Sequence, residues 1–162
     1  MPRPSEHPRS SAAPELPPLR FPPVQLRARL HNGQTEVWDP LRGCYLVLTP
    51  EEWVRQHLIG YLTAHCGAEP LRIVQEYPVP LNGQPQRADV VVVDDAARPL
   101  LLAECKAPGV RVDATTFGQA VRYNSVLGAR YVVLTNGLTH YCCEWCDGTY
   151  RPLAGFPQLG QR

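Results

Sequence analysis

The stretch LLAECKAPG at residues 101–109 places two charged side chains at the end of an apolar run. Glu104 and Lys106 lie two positions apart, and Lys106 is the only lysine of the chain. Side chains alternate between the faces of a strand, so Glu104 and Lys106 share a face if this run is a strand. A carboxylate beside an ammonium suits chemistry on phosphate, because the carboxylate binds a hard cation and the ammonium stabilises negative charge.

A second acid comes from the preceding apolar run, RADVVVVD. If the two runs pair as a hairpin about Asp95–Arg98, Asp89 lies opposite Glu104. Mg²⁺ or Mn²⁺ could then take oxygens from Asp89, Glu104 and the backbone carbonyl of Cys105. Lysine suits the position beside such a cation better than arginine, because it is a compact charge whose pKa shifts readily. The alternative explanation is a cross-strand ion pair at a solvated sheet end.

Helix signals define the elements that would position these residues. Thr49 is a good N-cap, and Pro50 is suited to the first position of a helix that Gly67 ends. A second helix begins at Asp113 or Thr115 and ends at Gly128.

The remaining apolar runs predict strands. A short strand covers Cys44–Leu48. Three strands fill the segment from LRIVQEY to LLLAECK, with Asn82-Gly83 as the first connection. YVVLT and HYCCEW follow the second helix. The sequence therefore predicts an α/β (α+β) fold with a central mixed sheet flanked by two helices, in the order α-β-β-β-α-β(-β).

Composition sets the predicted domain boundaries. Eight of the 18 prolines lie in residues 1–23, a stretch without apolar periodicity. We predict a disordered Pro/Arg-rich tail over residues 1–35, a folded domain over 36–155 and a flexible C-terminus over 156–162. No run has the length of a signal peptide core or a membrane span, so we expect a cytoplasmic protein without membrane contact.

The charge of the folded part limits its partners. The net charge is +1, and the excess of arginine in residues 1–30 leaves about −2 for residues 31–162. Phosphate contacts supply most non-specific affinity for nucleic acid. Action on nucleic acid would therefore need a local basic groove or a partner.

Six cysteines leave a further possibility open. Cys143 and Cys146 have the spacing of a zinc knuckle or a redox pair, and His140 could add a ligand. No second cysteine pair with suitable spacing is present, so the simpler explanation is thiols packed as small apolar groups.

Four segments resemble a known family when taken together: LTPEEWVRQHLIGYL, RADVVVVD, LLLAECKAP and TFGQAVRYNSVLGARYVVLTNG. They resemble the N-terminal domain of type I restriction enzyme R proteins, a family of the PD-(D/E)xK nuclease superfamily. The resemblance runs from Leu48 to Gly137. It implies a restriction-endonuclease-like core and a Mg²⁺-dependent site. One departure is Ala88, which stands where the superfamily motif has proline.

The resemblance also implies roles for particular residues. Asp89, Glu104 and Lys106 correspond to the acids and the lysine of the catalytic motif. Gln119 and Tyr123 correspond to a Q-x-x-x-Y element on the second helix, whose alternative explanation is a helix surface residue with a buried tyrosine. The remaining corresponding residues lie on the first helix: Glu52 or Glu51 as a further acid, and Arg55 and Gln56 as residues that reach the site or a phosphate. The positive end of the helix equally explains both glutamates.

The expected function is that of a metal-dependent DNA endonuclease-like domain. The ATP-driven motor of complete R subunits has no counterpart in this chain, so separately encoded restriction or motor subunits are expected partners. The alternative is a nuclease fold kept as a module that binds nucleic acid or a protein without turnover.

Overall fold

The computed structural model describes residues 16–160. Its elements are β1 (Ala28–His31), β2 (Gln34–Asp39), β3 (Cys44–Val47), α1 (Pro50–His65), a 3-10 turn (Pro70–Arg72), β4 (Ile73–Leu81), β5 (Gln84–Val93), β6 (Pro99–Cys105), α2 (Ala114–Leu127), β7 (Tyr131–Thr135), β8 (His140–Cys146) and β9 (Thr149–Pro152).

Strands β4 to β9 form one six-stranded sheet in sequence order. All neighbours are antiparallel except β6 and β7, which are parallel because α2 carries the chain across the sheet between them. Strands β1 to β3 form a separate antiparallel sheet. The α/β class, the mixed sheet and the element order predicted from α1 to β8 are confirmed.

One helix packs on each face of the six-stranded sheet. On one face Val54, Leu58 and Leu62 of α1 pack against residues of β5 and β6 that include Val90 and Leu101. On the other face Ala120 and Tyr123 of α2 pack against Val91 and Leu102. Because both faces are covered, the strands can be apolar along their length, as VVVV and LLLA are.

The predicted caps and turn are present. The Thr49 hydroxyl accepts a hydrogen bond from the Glu52 N–H at 3.1 Å, and the Asp113 carboxylate caps α2. Gly128 ends α2 in the left-handed region at φ 66°, which costs glycine little because it has no Cβ. These local interactions fix where each helix begins or ends.

The structure differs from the predicted tail. Residues 1–15 lie outside the described residues, but residues 16–35 contain β1 and the start of β2. The Arg20 N–H donates to the Gly137 carbonyl at 2.7 Å, and the Trp53 indole N–H donates to the Pro17 carbonyl at 2.9 Å. Leu19 and Phe21 pack their side chains against the core. The proline-rich composition around them gave no indication of this contact.

The predicted flexible C-terminus is also wrong over residues 156–160. Phe156 and Leu159 pack against the core, and the Leu159 N–H donates to the Cys66 carbonyl at 2.7 Å. Residues 161–162 lie outside the described residues. The two apolar side chains hold this segment against the core.

The cysteines do not form the metal site that was left open. Cys143 and Cys146 lie three positions apart on β8, so their side chains point to opposite faces. Within residues 16–160 no group of three or more cysteine, histidine or acidic side chains could hold a metal ion. The described cysteines are free thiols.

Neither described helix is long and apolar enough to cross a bilayer.

Candidate active site

The pairing of β5 with β6 brings Asp89 and Glu104 together. Val90 pairs with Ala103, so the register continues to Asp89 opposite Glu104, as predicted. The Asp89 N–H donates to Glu104 Oε1 at 3.2 Å, and the Cys105 N–H donates to Asp89 Oδ2 at 2.7 Å. The backbone of each strand therefore holds the carboxylate of the other, which fixes both side chains.

The two carboxyl groups are in an environment that disfavours their charge. Burial, and next the nearby Asp89 carboxylate, raise the pKa of Glu104 to about 8. Burial also raises the pKa of Asp89, although the Cys105 N–H and Arg55 oppose this. The positive charges of Arg55 near Asp89 and of Lys106 near Glu104 do not offset the effect of burial on the two acids. A cation between them would remove this penalty.

The donor set fits a hard divalent cation. Asp89 and Glu104 each use one oxygen for a backbone N–H and keep the other, Asp89 Oδ1 and Glu104 Oε2. Mg²⁺ commonly takes one or two carboxylates and completes its shell with water. Cys105 follows Glu104 directly in sequence, and it lines the same polar cavity as Asp89.

Lys106 belongs to a chain of hydrogen bonds that reaches α2. Its ammonium donates to Gln119 Oε1 at 3.3 Å, and Gln119 Nε2 donates to the Tyr123 hydroxyl at 3.1 Å. That hydroxyl donates to Gln86 Oε1 at 3.2 Å. The lysine sets the direction of the whole chain, because an ammonium can only donate.

Gln86 is a member of this chain that the sequence did not indicate. It lies on β5, three residues before Asp89, and its contact with Tyr123 joins residues far apart in sequence. Gln119 and Tyr123 were indicated by the family resemblance and by their spacing of one helical turn, and neither signal extends to Gln86.

The first helix brings an ion-pair cluster to the same place. Glu52 is buried, and its carboxylate accepts hydrogen bonds from the Arg55 guanidinium and, at 2.8 Å, from Gln56 Nε2. Arg55 also donates to Glu76 Oε1 at 2.6 Å. Together with Asp89 these residues surround a polar cavity of about 70 Å³, whose complete lining is Thr49, Glu51, Glu52, Arg55, Glu76, Asp89 and Cys105.

The predicted residues of α1 therefore differ in position. Glu52, Glu51 and Arg55 line the cavity. Gln56 does not, because its amide is buried and donates to Glu52 and, at 3.2 Å, to Asp39 Oδ2. Gln56 supports the cavity wall from behind and has no free donor exposed to a phosphate.

Glu76 is a cavity residue that the sequence did not indicate. It lies in the middle of β4 with φ 55°, a left-handed conformation that is unfavourable for a residue with a side chain. The ladder of β4 with β5 pairs Gln75 with Val90 and Tyr77 with Ala88 and omits Glu76. At this break in the pairing the Glu76 side chain points toward Arg55.

Asp39 supports the cluster from the first sheet. It is fully buried, and Oδ2 accepts hydrogen bonds from Gln56 and, at 2.7 Å, from Gln75 Nε2. Arg42 follows in the next turn and approaches both Asp39 and Glu76, at 3.8 and 3.9 Å. The first sheet is thus joined to the candidate site by charged side chains.

The fold and site define a class of protein: a mixed-sheet nuclease-like domain with two acids on adjacent central strands and a lysine immediately after the second strand. Comparisons with known proteins agree. A family model described as type I restriction enzyme R protein N terminus matches residues 50–157. The chain belongs to this family. The match contains Asp89, Glu104 and Lys106 but excludes β1 to β3.

A solved structure supports the fold. The chain is similar to a fragment described as an HsdR subunit of a type I restriction enzyme from Vibrio vulnificus YJ016, with 22% identity and a TM-score of 0.52. The similarity covers 68% of this chain and 24% of that chain, so this chain spans about a quarter of that fragment. No curated protein gave a significant match.

Proposed function

We propose that this chain is a metal-dependent endonuclease-like domain that hydrolyses phosphodiester bonds of DNA and uses Mg²⁺ or Mn²⁺. The observation that carries the proposal is the buried pair of Asp89 and Glu104, held by each other's strands, with Lys106 immediately after β6. Membership of the restriction R-protein family supports the same chemistry.

Asp89 and Glu104, with the carbonyl of Cys105, would hold the cation. When bound, the cation supplies charge neutralisation at the scissile phosphate and acidifies water. Glu52 could join only after releasing Arg55, because its carboxylate is engaged by Arg55 and Gln56. We therefore assign Asp89 and Glu104 as the principal ligands.

Lys106 orients the attacking water and stabilises charge on the phosphate. Gln119 holds the ammonium through its Oε1 atom, and Tyr123 holds Gln119. Because the three groups are joined in one chain, the ammonium is fixed before the substrate binds. Such positioning is worth more than the same charge on a mobile side chain.

Arg55 is the candidate phosphate-binding residue at the cavity. Its guanidinium side chain is only 13% exposed and forms ion pairs with Glu52 and Glu76. A guanidinium can bind a phosphate with two parallel hydrogen bonds. An incoming phosphate would compete with Glu76, whose side chain is 38% exposed.

Nicking of supercoiled plasmid or cleavage of single-stranded DNA tests the proposal. With Mg²⁺ or Mn²⁺ the parent protein should cut, whereas Asp89→Ala, Glu104→Ala and Lys106→Ala should each lower the rate by at least about a hundredfold. EDTA should abolish cutting. Variants that cut like the parent would show that the assigned site is wrong.

Glu144→Gln and Arg98→Gln are matched controls. Both change charged strand or turn residues that pair on the surface, Glu144 with Arg130 and Arg98 with Asp94. They should cut at the parent rate, so a general loss of activity through altered charge would be recognised. Circular dichroism of each variant would show that the fold is retained.

A binding module without turnover is the second candidate. Arg55 occupies the side of the cavity between Glu52 and Glu76, which favours a site that holds no cation there. DNA binding by the parent without cutting, in both Mg²⁺ and Mn²⁺, would support this alternative and contradict the endonuclease.

The environment and partners belong to the same proposal. We propose action in the cytoplasm on DNA, together with separately encoded restriction or motor subunits. The support is membership of the restriction R-protein family. Co-purification with such subunits would test it.

A further inference from the structure

The three-stranded sheet has an outer face with an unusual set of side chains. Its pairing aligns Arg29 with Glu36 and Val47, and Trp38 with Tyr45. The ladder continues to Arg27, whose carbonyl accepts from the Trp38 N–H at 2.7 Å. Directly paired residues share a face, so arginine and aromatic side chains alternate across this surface.

The opposite face of this sheet carries side chains that are buried in the protein. Val37 and Asp39 are fully buried, and Leu46 is half-buried beside Val37. The sheet is therefore anchored at Val37 and Asp39, whereas Arg27 and Arg29 on the other face are exposed. This sheet lies outside the residues matched by the family model.

The outer arginines are stacked on aromatic rings. The Arg29 guanidinium lies 3.7 Å from the centroid of the Tyr45 ring. Arg27 lies 5.6 Å from Trp38 and 5.8 Å from Tyr45, and the two rings are 5.1 Å apart. Stacking holds a guanidinium flat and lowers the entropy lost when it binds a phosphate.

The face has an excess of positive charge. Arg27 and Arg29 are exposed, against one carboxylate, Glu36, which pairs with Arg29 at 2.6 Å. Among residues 16–160 no carboxylate lies within ion-pair distance of Arg27. The exposed guanidinium of Arg27 is therefore available to an external anion.

The face also lies next to the candidate active site. Trp38 and Tyr45 flank the turn between β2 and β3, and Arg42 in that turn comes within 3.9 Å of Glu76 in the cavity wall. A polyanion that extends from the cavity along the turn between β2 and β3 would next contact Arg27 and Arg29.

We propose that this outer face binds single-stranded DNA, with the backbone phosphates on Arg27 and Arg29 and a base against Trp38. The inference rests on the proposed function and names its substrate-binding surface. Single-stranded DNA matches the face because aromatic rings can accept unpaired bases while arginines contact the backbone. The surface supplies a local positive charge that residues 31–162 taken together lack.

Fluorescence anisotropy of a labelled single-stranded oligonucleotide, in EDTA, measures binding separately from cutting. Arg27→Gln should weaken binding about fivefold and reduce the slope of log affinity against log salt by about 0.7. Trp38→Ala should weaken it about tenfold. Arg27→Lys should recover the salt slope but only part of the affinity, because lysine keeps the charge and loses the planar stack.

Arg98→Gln is the control for charge removal from another surface and should bind like the parent. Because Trp38 is half-buried, Trp38→Phe gives a second variant that keeps the packing. It should bind within about twofold of the parent, since a phenyl ring still stacks. Equal affinity for the parent, Arg27→Gln and Trp38→Ala would overturn the proposal, as would tighter binding of duplex than of single-stranded DNA.

The two proposals fail in different ways. If the parent binds DNA through Arg27 and Trp38 but never cuts it, the endonuclease proposal is contradicted and the proposed DNA-binding face is supported. If cutting depends on Lys106 but Arg27→Gln and Trp38→Ala change neither binding nor cutting, the endonuclease proposal is supported and the proposed DNA-binding face is contradicted.

Discussion

Glu104 lies where stability and the proposed chemistry oppose each other. It is only 4% exposed, and its closest ionisable neighbour is another acid, Asp89. A buried carboxyl group of this kind costs stability once it is ionised. Under the proposed function this pair would hold the cation, and unfavourable groups of this kind collect at functional sites.

This arrangement predicts a pH-dependent effect of Glu104→Gln in metal-free protein. The folded-state pKa is raised from 4.5 to about 8. The contribution of Glu104 to the free energy of unfolding is therefore fully present below pH 4.5 and is lost as the pH rises through about 8. Glutamine carries no charge, so the variant should unfold like the parent near pH 4 but be more stable by about 2 kcal/mol near pH 9.

Urea unfolding at several pH values in EDTA measures this difference. Glu144→Gln, whose glutamate pairs with Arg130 on the surface, is the control and should show no such trend. A stability difference between Glu104→Gln and the parent that does not change with pH would contradict the predicted charge penalty. Added Mn²⁺ should stabilise the parent and not the variant.

Tyr123 offers a second test at the scale of single atoms. Tyr123→Phe removes the hydroxyl between Gln119 and Gln86 and should lower the cleavage rate constant about tenfold with little change in KM, because Lys106 loses its fixed position. The stability loss should be about 1 kcal/mol. Gln86→Ala should act in the same direction but less, since it lies one bond further from Lys106.

The dependence of the cleavage rate on DNA concentration gives the rate constant and KM separately and so distinguishes these two effects. A raised KM with an unchanged rate constant would show that Tyr123 contacts the substrate instead of positioning the lysine. Tyr77→Phe is the matched control, because Tyr77 also packs against the α2 side of the sheet and lies outside the hydrogen-bonded chain.

At the scale of elements, β4 carries the conformational strain. Glu76 adopts φ 55° inside a strand, and the energetic cost for a residue with a Cβ is about 1 kcal/mol. Glu76→Gly and Glu76→Ala both remove the carboxylate, but only glycine relieves the backbone. We expect the glycine variant to be more stable than the alanine variant by about 1 kcal/mol in urea unfolding.

The usual order would be the reverse, because glycine in an ordinary strand is less stable than alanine. Val74→Gly and Val74→Ala, two positions earlier on β4, supply that reference. If alanine were better at both positions, the left-handed conformation of Glu76 would not persist in solution.

Glu76 also shows why part of the site could not be predicted. Asp89 and Glu104 were predicted to face each other because hairpin register follows from turn position and strand alternation. The left-handed turn of Glu76 breaks that alternation, and its contact with Arg55 joins β4 to α1. Sequence spacing has no signal for a contact that depends on how a helix docks on a sheet.

The same limit applies to the elements. The helices and the strands β4 to β8 were predicted because caps, turns and apolar runs are local. The hairpin of β1 and β2 was missed, although Asn32-Gly33 at its turn, with φ 49° and 74°, is the sequence signal for such a turn. Proline-rich surroundings outweighed that signal.

At the scale of the whole molecule, the N-terminal segment closes the fold around the core. The ring of Phe21 lies among four other rings, with centroid distances of 5.6 Å to Tyr61, 4.5 Å to His140, 6.0 Å to Phe156 and 6.5 Å to His57. These partners belong to α1, β8 and the C-terminal segment. One side chain therefore contacts three separate parts of the chain, which also contact one another through Tyr61–Phe156 and His140–Phe156.

Phe21→Ala should accordingly destabilise the protein by about 2 kcal/mol in urea unfolding, because the half-buried ring loses apolar and aromatic contacts. Leu30→Ala is the control: Leu30 is 76% exposed on β1 and its loss should cost less than about 0.5 kcal/mol. The two changes remove apolar groups from the same region of sequence and differ in contact with the core. Equal and small effects would mean that residues 16–27 do not stabilise the core, and the anchor of the first sheet would then have to lie in β2 and β3 alone.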